Sequence, residues 1–191
     1  MKDGLHLLAE GLGIMRGERV LFSDVSLGVK AGEAVLLRGA NGVGKTTLLR
    51  CLAGLAVPEA GTCTREAFHW IGHRSGIKPH ETPAVHLGVW ARTFGIDAGV
   101  IGPVLGLMGL ERAKDVAGAQ LSAGQRKRTA LGRTQLGKCP LWLLDEPFNA
   151  LDHDGKDLLA KLIADHRAQG GAIVAAVHGE VSIPDAREVQ L

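Results

Sequence analysis

An α/β fold, in which a parallel sheet covered on both faces carries a small antiparallel β part and a helical insertion, is what the sequence predicts, and three observations carry the prediction. AVLLRG (Ala34–Gly39), PLWLLDEP (Pro140–Pro147) and AIVAAVH (Ala172–His178) are continuous apolar runs of buried-strand length, each joined to a helical pattern. Ahead of them, LHLLA and VLFSDVSLGV alternate or nearly alternate apolar with polar residues around Arg16-Gly17-Glu18-Arg19, as two strands and a turn do. Between Thr82 and Gly118 the pattern changes to short, glycine-rich helical stretches.

Taken in order, the first two strands make the antiparallel part, and AVLLRG leads into a helix over Thr46–Leu55. Val85, Leu87, Trp90, Phe94, Val104, Leu107 and Leu110 supply the apolar positions of the helical insertion. After PLWLLDEP a helix is expected over Asp157–Gln169, with Leu158, Leu159, Leu162 and Ile163 on one face and the Gly170-Gly171 pair as its stop. With 191 residues, 46% of them hydrophobic, and no repeat, low-complexity tract or linker, the chain reads as one compact unit with a real core.

Composition excludes several functions. Twenty-two basic residues against 20 acidic leave a net charge of +2, spread along the chain, so no electrostatic track for nucleic acid is expected. The triplet Arg126, Lys127, Arg128 reads as a solvated helix face. Three cysteines, Cys51 in a helix, Cys63 in a loop and Cys139 at a strand start, form no CxxC pair and read as structural, which suits a reducing compartment. The start MKDGLHLLAEGL carries acids inside its apolar stretch and no small-residue cleavage site, which argues against a signal peptide. Val100–Leu110 is too short to span a bilayer, so work at a membrane is expected to go through a partner.

Three motifs carry chemistry. GANGVGKTT, Gly39-Ala40-Asn41-Gly42-Val43-Gly44-Lys45-Thr46-Thr47, fits GxxxxGK[ST] between a strand and a helix. Phosphate oxygens need a ring of backbone N–H groups, which the glycines and the helix start supply, while Lys45 neutralises charge and Thr46 is expected to place its hydroxyl on Mg²⁺. The core is thus of the P-loop NTPase kind. LWLLDE delivers two carboxylates at a strand end, where α/β sheets bind ligands: Asp145 to hold Mg²⁺ through water, Glu146 to act on the attacking water. LSAGQ, Leu121-Ser122-Ala123-Gly124-Gln125, is either a second phosphate-binding helix start or a plain helix cap, Ser122 with a polar residue three later.

With those motifs in this order, the sequence resembles the nucleotide-binding subunits of ATP-binding cassette (ABC) transporters over nearly the whole chain. NALD, Asn149–Asp152, matches the family's D-loop and His178 its switch histidine, which the resemblance assigns to sensing the γ-phosphate. It implies a single nucleotide-binding domain over 1–191, with core segments 1–81 and 136–191 and a helical insertion over 82–135. It also implies ATP and Mg²⁺ as the bound species, and Leu121–Gln125 acting on the ATP of a second copy, so that two chains clamp two nucleotides head to tail. RGERVLFSDVSL, FHWIGHRSGIK (Phe68–Lys78) and LWLLDEPFNALD are similar to the branch of the family that serves cytochrome c biogenesis. That likeness implies an ATP hydrolase on the cytoplasmic face of a bacterial inner membrane, joined to integral membrane subunits and energising haem delivery.

Some residues depart from the family pattern. His73 stands where the resemblance implies a glutamine that reaches Mg²⁺, and neutral imidazole is a poor ligand for that ion. Arg16 stands where relatives stack adenine on an aromatic ring; it reads as a guanidinium stack or a surface arginine. The short Pro58–Thr64 segment predicts a trimmed antiparallel sheet. His69, His73, His80 and His86 are close in sequence, but nothing sets them on one face, so haem ligation is not the favoured reading. Other readings stay open: the ATPase of a different small ABC transporter, a P-loop small-molecule kinase, a soluble ABC protein, or a non-hydrolysing regulatory subunit.

Overall fold

The computed structural model describes residues 4–191; the first three residues of the stretch read as lacking a signal peptide lie outside it. The described residues divide into two compact units, one of residues 4–70, 139–147 and 162–191, the other of residues 71–138 and 148–161.

The first unit contains two sheets. Strands β1 (Leu5–Arg16), β2 (Arg19–Lys30) and β4 (Ala60–Arg65) form a three-stranded antiparallel sheet in the order β2-β1-β4. Gly17 and Glu18 make the turn expected between the first two, leaving Arg16 opposite Arg19. Cys63, expected in a loop, lies in β4 opposite Ala9. AGTCTR has little apolar content, and pairing with β1 is what makes it a strand.

The larger sheet is built from β3 (Ala34–Arg38), β5 (Phe68–Ile71), β6 (Leu141–Asp145), β7 (Ala172–Ala176) and β8 (Arg187–Gln190), in the order β5-β6-β7-β3-β8. β6 and β7, and β7 and β3, pair in parallel, as the three apolar runs predict, and β8, which no apolar run announces, pairs in parallel with β3 at the sheet edge. Every residue of β6 and β7 is buried. Leu7, Leu12 and Val29 of the small sheet, Val35 and Leu37 of β3, Leu141 and Leu143 of β6, and Val174 of β7 join one core cluster with Leu48, Leu49 and Leu52. Burying each such side chain stabilises the fold by about 1.5–3 kcal/mol before entropy is counted.

Helix α1 spans Lys45–Leu52, beginning one residue before the expected Thr46 and stopping short of Leu55. Gly54 takes φ 68° and ends it: its N–H reaches the Cys51 carbonyl at 3.0 Å, and that of Leu55 reaches Arg50 at 2.8 Å. Helix α5 spans His153–Ala168, starting earlier than the expected Asp157 because Asp152 Oδ1 accepts the Gly155 N–H at 3.0 Å and caps it. Its end is the predicted glycine pair, with Gly170 at φ 85° and the Gly171 N–H bonded to His166 at 2.9 Å.

The second unit packs α2 (Pro83–Thr93), α3 (Ile101–Leu107) and α4 (Ala123–Gly132) against one another. Thr82 caps α2 and Pro83 opens it. Leu87, Val104 and Leu110 are buried as expected, but Val85, Phe94 and Leu107 are exposed, because short helices interrupted by glycine present only one narrow face inward. The basic triplet is not a solvated face: Lys127 is buried, and Arg126 is half-buried and donates to the carbonyls of Gly118 and Leu121. His69 and His86 are buried while His73 and His80 are exposed, and no group of three or more candidate metal ligands occurs among the described residues. Nor is any helix among them long and apolar enough to cross a membrane.

Candidate nucleotide site

Where β3 ends, the chain turns through Gly39, Gly42 and Gly44 at φ 139°, 78° and 121°, conformations costly for residues with a Cβ. A Cβ on Gly39 would also lie 2.9 Å from the Val43 side chain and from the Leu191 carbonyl. Leu21 and Phe22 of β2 sit against Gly44, a support that the motif does not show. α1 then begins with no side-chain cap and no acid in its first turn, which leaves its amide N–H groups to an anion. Lys45 is 6% exposed, and its ammonium donates to the carbonyls of Gly39 at 2.6 Å and Ala40 at 3.1 Å, inside the loop it is meant to serve. Asn41 and Gly42 are exposed; Thr46 and Thr47 are half-buried on the first turn.

The Thr46 hydroxyl donates to Asp145, with Oδ1 at 3.0 Å and Oδ2 at 3.1 Å. Asp145 is the last residue of β6 and is buried. At Glu146 the backbone swings to φ 47° while its N–H still bonds the Ala176 carbonyl at 3.0 Å, so the β6–β7 ladder runs one step beyond the strand and aims the carboxylate elsewhere. Glu146 Oε2 stands 3.9 Å from Nε2 of His178, just past β7. Lys45, Thr46, Asp145, Glu146 and His178 therefore follow the carboxyl ends of β3, β6 and β7, which are consecutive in the sheet order. Arg16 is exposed at the β1–β2 turn.

In the second unit, Ser122 caps α4 in a reciprocal box: its hydroxyl accepts the Gln125 N–H at 3.1 Å and its own N–H donates to Gln125 Oε1 at 2.9 Å. Leu121 is buried ahead of the cap. A Cβ on Gly124 would approach the Ala150 carbonyl at 3.0 Å, and Ala150 itself takes φ 64°. His73 borders a cavity of 330 Å³ with Arg74, Ala123, Arg126, Lys127 and Asn149. Arg133 lies with Cζ 4.9 Å over the Trp90 ring, and burial pushes its pKa down to about 10. In the first unit, His166 stacks on Trp142 at 4.0 Å, and burial pushes its pKa down to about 4. The partners in these last pairs are far apart in sequence, and no local pattern announces them.

A strand–loop–helix that presents amides and a lysine to an anion, with its hydroxyl bonded to the first of two carboxylates at another strand end of the same sheet, defines a nucleotide-binding ATPase domain. Residues 22–149 match the ABC transporter family. A solved ATP-binding subunit of an ABC transporter superposes with a TM-score of 0.82 at 25% identity, covering 90% of this chain and 79% of that one. The cytochrome c biogenesis ATP-binding export protein CcmA of Hyphomonas neptunium is 55% identical over 186 residues, 97% of this chain and 96% of its own. That of Maricaulis maris is 40% identical over 195 residues, 97% and 91% of the two chains. The chain belongs to the CcmA family of ABC transporter ATP-binding proteins, and like them it is a nucleotide-binding, transport-coupled ATP hydrolase.

Proposed function

We propose that this chain is the ATP-hydrolysing subunit of the haem-export complex of cytochrome c maturation, seated on the cytoplasmic face of a bacterial inner membrane against integral membrane subunits. The reading rests on the family and on one geometric observation: the Thr46–Asp145 pair and the Glu146–His178 pair arise from the ends of three consecutive strands, β6, β7 and β3, of one sheet. The amides of Gly39–Thr47 and the ammonium of Lys45 take the phosphates. Oxygen donors of the Thr46 and Asp145 type suit Mg²⁺, which when bound draws charge from the outer phosphates. Imidazole does not suit it, so His73 is given no metal contact.

Glu146 orients the attacking water and takes its proton, and His178 donates to the γ-phosphate and keeps the carboxylate placed. Leu121–Gln125 of a second copy completes the site: Ser122, Ala123 and Gly124 face the terminal phosphate, and Asp152 borders the two-fold contact. Arg16 lies against the adenine. The insertion 82–135 is where the membrane subunits dock, and the exposed Val85 and Phe94 supply apolar area for that contact. A phosphotransferase has no use for a second phosphate-binding helix start that serves another copy.

The test is recovery of Glu146→Gln with ATP from detergent-solubilised native membranes. ATP-dependent recovery of a multi-span partner together with haem absorbance is expected. A membrane partner from another transporter without haem would remove the haem assignment, and recovery of no membrane protein would remove the transporter role.

A further inference from the structure

Between β5 and α2 the chain runs without regular structure, and its far end is held by one side chain. Glu81 Oε2 accepts the backbone N–H of Lys78 at 3.1 Å and stands 3.1 Å from Nδ1 of His86 on α2. His86 is 5% exposed, so this contact anchors the segment in the helical core. The backbone of the same turn reaches the opposite way. The Glu81 carbonyl accepts the Gly118 N–H at 2.7 Å, and the Pro79 carbonyl accepts that of Ala119 at 2.9 Å.

Residue 118 must be small for this to happen, because a Cβ there would lie 2.4 Å from the Lys78 carbonyl oxygen and 3.2 Å from that of Glu81. Arg126, from the first turns of α4, donates to the carbonyls of Gly118 and Leu121. The short stretch that ends at the Ser122 cap is therefore bracketed, by the Glu81 turn at its start and by Arg126 at its end. A segment that satisfies its backbone groups this way has little freedom to shift.

We infer that Glu81 is a positioning residue for Leu121–Gln125: by fixing the 78–82 turn against Gly118 and Ala119, it sets where the amides and hydroxyl at the start of α4 stand. The inference rests on the head-to-tail reading above, in which that motif serves the nucleotide of the other copy. A lesion at Glu81 then shows itself on its neighbour.

The experiment uses the complete transporter in membrane vesicles, assembled from two copies of this chain that differ in mass. Both carry Glu146→Gln so that nucleotide is held, one carries Glu81→Leu in addition, and the probe is a photoreactive ATP analogue. Label on the copy with native Glu81 is expected to fall about tenfold, while the Glu81→Leu copy keeps its label. Glu81→Gln, which retains an oxygen acceptor for Lys78 and His86, is expected to restore it, and Gly118→Ala to reproduce the loss. Loss of label on the Glu81→Leu copy itself, or equal label on both, overturns the inference, because a merely destabilising change acts on its own chain. Ser122→Arg in place of Glu81→Leu separates the two readings. If its loss also falls on the other copy, the head-to-tail reading stands and only the role of Glu81 is at stake; if not, both readings fall.

Discussion

Lys45 and Glu146 show how a single residue is shaped by a task the fold itself does not need. A buried ammonium that bonds two carbonyls of its own loop is ready to exchange them for phosphate oxygens, and charge-assisted bonds of this kind contribute about 1.5–3 kcal/mol each. Lys45→Ala is accordingly expected to weaken ATP binding by roughly ten- to a hundredfold by calorimetric titration. Glu146 holds φ 47°, a conformation that costs a residue with a side chain about 1–2 kcal/mol. Glu146→Gly is expected to raise the unfolding free energy from urea titration by roughly 0.5–1 kcal/mol, once the entropy of the unfolded glycine is set against the relief. Glu146→Gln keeps the strain and is expected to lower turnover about 10²–10⁴-fold with ATP still bound. If both variants left turnover intact, the carboxylate would have no part in the reaction.

At the scale of elements, α4 separates a structural reading from a functional one, since Ser122 both caps a helix and is assigned to phosphate. Aspartate caps as well as serine does, but carries a charge that repels phosphate. Ser122→Asp is expected to keep the melting temperature within about a degree and to abolish turnover, whereas Ser122→Ala costs about 1 kcal/mol of stability by thermal unfolding. The same contrast explains what was legible in the sequence. The phosphate loop could be read because its glycines, Lys45 and Thr46 are demanded by neighbours in the chain, and β3, β6 and β7 because a strand buried on both faces must be apolar throughout. β8 could not be read: REVQ has one apolar residue, and it becomes a strand by pairing with β3 at the sheet edge. The start of α5 was missed because its cap, Asp152, lies inside a motif legible for another reason. The burial of Lys127 and the bracket around Gly118 depend on residues joined through space, and single-chain periodicity has no access to those.

The response of the whole molecule to acid follows from histidines that the ATPase chemistry leaves aside. His166 stacks on Trp142 and is the last-turn residue whose carbonyl closes α5. It faces His69 and His6, both of which disfavour a positive charge on it, and His6 in turn lies 2.7 Å from Glu66 and 2.8 Å from the Gly170 carbonyl. Burial holds the folded-state pKa near 4 against an ordinary 6.5. Between those values the unfolded chain binds a proton that the folded chain does not, so stability rises with pH there: the contribution is complete above 6.5 and is lost progressively as pH falls toward 4. His86 acts in the same direction, because burial outweighs the hydrogen bond it donates to Glu81, which favours its charged form. The melting temperature is therefore expected to be level near neutrality and to decline through this window. His166→Phe, which keeps an aromatic ring on Trp142, is expected to remove part of that decline and leave the portion that belongs to His86. An unchanged pH profile in this variant would show that His166 ionises alike in the folded and unfolded chain, and that its place beside Trp142 does not exclude the proton.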